Sequence, residues 1–155
     1  MELYTGGAYT TGDLDFVGTL PDRVAEALRD AGFRRRGRHW LHRDGQIFIE
    51  FPGSALGAGE MGVRLRHGES HVVIVDVEAL LVDRLAAWEF WRSGVDGIAA
   101  LQLLRIQGHN MDEERLEDLV DARELSSALA RARRFLAAEP NADEEEMATW
   151  ASHRE

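Results

Sequence analysis

The placement of glycine constrains this chain more than any other feature. Of its 15 glycines, all but Gly94, Gly97 and Gly108 precede residue 69, where they punctuate short runs of strand-like alternation. Beyond residue 76 the apolar residues recur instead at three- and four-residue spacings. A sheet-forming segment followed by a helix-forming one predicts the α+β class, with a mixed sheet in the N-terminal half and a C-terminal helical bundle.

Residues 13–18 (DLDFVG) alternate as a strand does, and Pro21 then opens a helix that carries Val24, Ala25, Leu28 and Ala31 and ends at Gly32. Residues 33–36 and 38–42 are further strand candidates. Arg43-Asp44-Gly45 turns the second of them into residues 46–51, as a hairpin. The Gly- and Ala-rich stretch 52–61 reads as a loop beside the end of the Glu50 strand, and residues 63–67 and 71–75 predict a second hairpin. Helices are expected over 77–92, where Asp76 can cap the start and Trp88 and Trp91 serve packing, and over 95–107. A third helix is capped by Asp112, and a fourth runs through Leu125, Leu129 and Phe135 and stops before Pro140. The acidic remainder is either frayed or a short helix carrying Met147 and Trp150. The expected organisation is one compact domain: a sheet-rich core over 1–76, a helical subdomain over 77–139 and an acidic tail over 140–155.

Composition narrows the chemistry. With no cysteine there is no disulfide, thiolate metal site or cysteine nucleophile, and because every one of the 18 basic residues is arginine, lysine-dependent catalysis is excluded. A formal net charge of −10 disfavours a broad nucleic-acid surface. Arg34-Arg35-Arg36, with Arg38 and His39, is the only concentrated basic run. It reads either as a charged edge strand that resists aggregation or as a phosphate-binding hairpin edge. The six histidines are scattered without the helical spacing of a zinc site, and no serine sits in a Gly-x-Ser-x-Gly elbow. Neither an apolar run of about 18 residues nor a secretory leader is evident, so a cytoplasmic protein without membrane insertion is expected.

The chemistry-bearing candidates are carboxylates. Asp13 and Asp15 lie two apart on the first strand, so their side chains share one face. Two carboxylates held so close repel unless a divalent cation neutralises them, and hard oxygen ligands suit Mg²⁺ bridged to substrate phosphates. Glu50 projects from a strand otherwise rich in apolar residues, which is costly without a partner, and a role as third ligand supplies one. The alternative for the aspartates is a pair of solvated side chains at a strand end.

The stretch Thr10-Thr11-Gly12-Asp13-Leu14-Asp15-Phe16 resembles the T-x-D-[ILV]-D-[FL] signature of minimal nucleotidyltransferases and AbiEii-type toxins. Residues 77–88 (VEALLVDRLAAW) are similar to that family's "pedLl..KLaA" helix, with Asp96 at the place of its later Asp, and the resemblance spans about residues 4–137. It implies a nucleotidyltransferase-like fold in which Asp13, Asp15 and Glu50 hold Mg²⁺, with Thr11, Gly12 and Arg84 on the nucleotide side and Arg84 reaching the triphosphate. The implied activity is transfer of a nucleotidyl group from an NTP to a tRNA or protein hydroxyl, in a toxin–antitoxin system with a cognate antitoxin. A catalytically degenerate relative acting as a binding or scaffold module is the second expectation. The sequence departs from the family in two respects. Glu50 stands where Asp is usual. The helix and Gly-Gly turn that lie about ten residues before the aspartate pair are missing, Gly6-Gly7 being too close to it, so that element is expected to be absent or to lie upstream.

Overall fold

The computed structural model describes residues 1–9, 12–57 and 59–153. Its elements in chain order are α1 (Glu2–Thr5), β1 (Asp13–Val17), α2 (Asp22–Asp30), β2 (Phe33–Arg36), β3 (His39–His42), β4 (Phe48–Gly53), β5 (Gly62–His67) and β6 (Ser70–Val75). They continue with α3 (Val77–Trp91), α4 (Gly94–Gln107), α5 (Glu113–Ala122), α6 (Ser126–Ala138) and α7 (Glu144–Ser152). The protein is α+β, with a mixed four-stranded sheet and a helical C-terminal half. It divides into two compact units, residues 10–58 and residues 1–9 with 59–155.

In the first unit the strand order is β1-β4-β3-β2, with β1 parallel to β4 and the other pairs antiparallel. Alternation splits the side chains between two faces. One face carries Ile49, Trp40, Phe33 and Phe51, and it packs under Ala25 and Leu28 of α2, with Trp40 only 1% exposed. Arg29 of α2 lies over the Trp40 ring at 5.6 Å, so the helix also contributes a cation to that face. Register slips between Asp15 and Val17, where Val17 faces Gly53. This bulge accommodates Pro52, which has no N–H to give a regular ladder.

The second unit is built on α3 and α4, whose apolar residues surround the whole helix because both are central. Leu81, Leu85, Trp88, Leu101 and Leu103 are essentially inaccessible, and Leu116 of α5, Ala132 of α6 and Met147 of α7 close over them. Trp88 anchors α7 by donating its indole N–H to the Ala151 carbonyl at 2.9 Å and stacking on Trp150 at 4.3 Å. Trp91, expected to pack like Trp88, points instead into solvent at 77% exposure. The acidic tail is ordered as α7, started by a capping box between Asp143 and Glu146.

Two expectations about the chain's division are corrected here. The β5–β6 hairpin is a separate two-stranded sheet and belongs with the helices, not with a core spanning 1–76. Buried Asp76 explains why: it stands at the N-cap position of α3, yet its side chain makes no cap bond. It accepts from the Met61 N–H at 3.3 Å and from Arg115 Nε at 2.7 Å, tying the hairpin's base to α5. The first nine residues join the same unit. The Tyr4 hydroxyl donates to the Val75 carbonyl at 2.7 Å, and Gln107 donates to the Tyr4 carbonyl at 2.6 Å. Burial, then the neighbouring charges of Asp76 and Glu78, push the Tyr4 hydroxyl up to about 12. Among the described residues no helix is long and apolar enough to cross a membrane.

Candidate functional site

The face of the four-stranded sheet turned away from α2 collects the chemistry. In the parallel β1–β4 pair Asp15 is matched with Glu50, and Asp13 with Phe48. Residues paired across neighbouring strands point to the same side, so both aspartates and Glu50 share this face. The antiparallel pairs extend it, matching Glu50 with His39 and His39 with Arg36. One lateral row therefore runs Asp15, Glu50, His39, Arg36 from edge to edge of the sheet. The neighbouring row runs Asp13, Phe48, Leu41, Arg34, with an apolar middle. A concavity of about 460 Å³ opens over both, lined by Asp13, Asp15, Phe48, Glu50, His39 and Arg36 among others.

Glu50 has the partner its position demands, and that partner is internal. Its Oε1 is 2.7 Å from Arg38 Nε and its Oε2 is 3.2 Å from His39 Nδ1. Arg38 comes from the β2–β3 turn and is 74% exposed, against 19% for Glu50. The unfavourable burial that pointed to a third metal ligand is thus offset by the Arg38 guanidinium and by the contact with the His39 ring. Among the described residues no group of three or more histidines, aspartates or glutamates is disposed to hold a metal ion. The donor set itself fits a hard divalent cation in kind: three carboxylates on one face, two of them on paired positions of adjacent strands. A cation at this face would compete with Arg38 and His39 for the Glu50 oxygens.

Thr11 lies outside the described residues. Gly12 extends the β1–β4 ladder, its carbonyl accepting from Phe48 N–H at 2.6 Å, and a Cβ there would stand 2.2 Å from the Gln46 carbonyl oxygen. Close approach of β4's lead-in thus requires glycine at this position. Arg84 lies on α3 in the other unit, where its guanidinium is held by Asp96 at 2.6 Å and Asp83 at 3.1 Å. Asp96 also accepts nothing less than a strong charge-assisted bond there, since both partners are partly buried.

Sequence reasoning did not assign Arg36 and His39 to the carboxylate site. The signal available was strand parity within the arginine run, since alternate residues of 33–36 share a face. Parity alone does not say which strands lie side by side, so the row emerges only from the register.

Comparison with protein-family models, with curated proteins and with solved structures gave no match.

Proposed function

We propose that residues 10–58 carry a nucleotidyltransferase-like site that transfers a nucleotidyl group from an NTP to a hydroxyl of a tRNA or protein, as the toxin of a toxin–antitoxin pair. The single observation that carries this reading is the matching of Asp15 with Glu50 on parallel strands, with Asp13 two residues away on the same face. Asp13 and Asp15 would hold Mg²⁺, and Glu50 would join them after leaving Arg38. When bound, Mg²⁺ would neutralise charge on the phosphates and lower the pKa of the attacking hydroxyl. The hydroxyl oxygen forms the new bond to the α-phosphorus, the bond from that phosphorus to the bridging oxygen breaks, and pyrophosphate leaves. Glu50 accepts the hydroxyl proton, since it is the carboxylate placed beside the pair. NTP and tRNA substrates put this activity in the cytoplasm.

One observation favours a second reading, a degenerate relative that serves as a binding or scaffold module: both Glu50 oxygens are already engaged, one by Arg38 and the other by His39. Calorimetry with ATP, CTP, GTP and UTP in Mg²⁺ separates the two. The enzyme reading expects heat with at least one nucleotide, lost on Asp13→Asn with Asp15→Asn. No heat with any of the four overturns it and leaves the binding module.

A further inference from the structure

Arg36 stands at the opposite end of the lateral row from Asp15. Three inter-strand steps of about 4.8 Å separate their backbones, and both side chains line the same concavity. Between them lie Glu50 and His39, so the face passes from acid to base across its width. Of the five arginine and histidine side chains in the basic run, Arg38 and His39 are spent on Glu50. Arg35 faces the other side of the sheet and donates to the Gly37 carbonyl at 3.0 Å. Arg34 shares the face but is matched with Leu41, one row away. Arg36 has no ion-pair partner among the described residues.

A concave face with carboxylates at one wall and an uncommitted guanidinium at the other suits a ligand that is itself two-signed. A metal-bound polyphosphate is such a ligand: its cation turns to the aspartates and its remaining negative charge to the arginine. On a chain of net charge −10, a local cation is also needed to draw in an anion at all. Arg84, the arginine first expected in this role, is already held between Asp83 and Asp96.

We propose that Arg36 is the phosphate-binding residue of this face, receiving non-bridging oxygens of the triphosphate of a metal-bound nucleotide. The assignment rests on the metal and nucleotide reading given above and adds the residue that holds the anion.

The test is calorimetric titration with sodium tripolyphosphate in excess Mg²⁺, using the whole chain. Arg36→Gln is expected to weaken binding by about tenfold or more, the loss of one charge-assisted, two-pronged contact. Arg36→Lys should recover part of it, keeping the charge without the fork. Arg35→Gln, one residue away on the other face, should bind as the parent does, and thermal unfolding of each variant shows that the fold is kept. Equal binding by Arg36→Gln and the parent overturns the assignment, as does an equal loss in Arg35→Gln or a parent that does not bind tripolyphosphate. Mn²⁺ titration of the parent without phosphate isolates the underlying reading. If Mn²⁺ does not bind while Arg36→Gln still weakens tripolyphosphate binding, the metal reading fails and the anion site stands.

Discussion

Asp15 and Glu50 are paired directly across the parallel β1–β4 strands, and Glu50 sets its two carboxylate oxygens 2.7 Å from Arg38 Nε and 3.2 Å from His39 Nδ1. The sheet therefore brings the three carboxylates onto one face, with Glu50 engaged by Arg38 and His39. Its partners are partly exposed, and an exposed ion pair is easily exchanged. Under the proposed cation-binding reading, Arg38 restrains Glu50 by competing with the cation for its carboxylate.

Removing that restraint gives the first expected outcome. Arg38→Gln should cost less than about 1 kcal/mol of stability in denaturant unfolding, since Arg38 is largely exposed. The same variant should bind Mn²⁺ more tightly, because Glu50 is freed and a competing positive charge is gone. Weaker Mn²⁺ binding by Arg38→Gln contradicts this account of Glu50.

Neutralising the aspartates separates fold from ligand. Asp13→Asn with Asp15→Asn removes both candidate ligands from one strand face while keeping the side-chain shape, and each protein's thermal midpoint without metal is its own reference. Added Mg²⁺ should raise the midpoint of the parent and leave the double variant unmoved. An equal gain in both would place the cation elsewhere.

Alkaline pH reports on Tyr4. Without cysteine or lysine, the two tyrosines are the only side chains expected to titrate between the histidine and arginine ranges. The folded Tyr4 hydroxyl is raised to about 12 from an ordinary 10.0, so the folded state keeps a proton that the unfolded chain loses. The contribution is whole below pH 10.0 and disappears as pH rises through about 12. Thermal midpoints should therefore fall across that window in the parent and fall less in Tyr4→Phe; parallel curves would rule out Tyr4 as the cause.

Gly97 tests the packing of the helical unit. Alanine is the better helix former by about 1 kcal/mol, but a Cβ at this position would sit 2.7 Å from the Trp88 ring and 2.9 Å from the Ala151 Cβ. Overpacking a site of this kind costs about 1–3 kcal/mol and outweighs the helical gain. Gly97→Ala is thus expected to lower stability in urea unfolding, and a stabilised variant would show that α4 and α7 are less closely packed against Trp88.

What was legible in the sequence was local. Asp112 was readable as an N-cap and does accept from the Arg115 N–H at 3.1 Å. Leu81, Leu85 and Trp88 follow helical spacing and are buried together. Asp76 also sits at a helix start, but burial beside Arg115 gives its oxygens stronger partners than its own helix does. The placement of β5–β6 was not readable, because alternation marks a strand without naming its neighbour. The same gap hid the row from Asp15 to Arg36: each member was visible as a residue type, and only the register puts them on one face.

Paramagnetic line broadening by Mn²⁺, read on backbone amides of the whole chain, tests the central claim most directly. Substoichiometric Mn²⁺ should broaden the amides of Asp13, Leu14, Asp15 and Glu50 before any others, and the effect should vanish in Asp13→Asn with Asp15→Asn. Broadening that begins in the acidic α7 or spreads evenly over the surface, with β1 and β4 untouched, would contradict a cation site on this sheet.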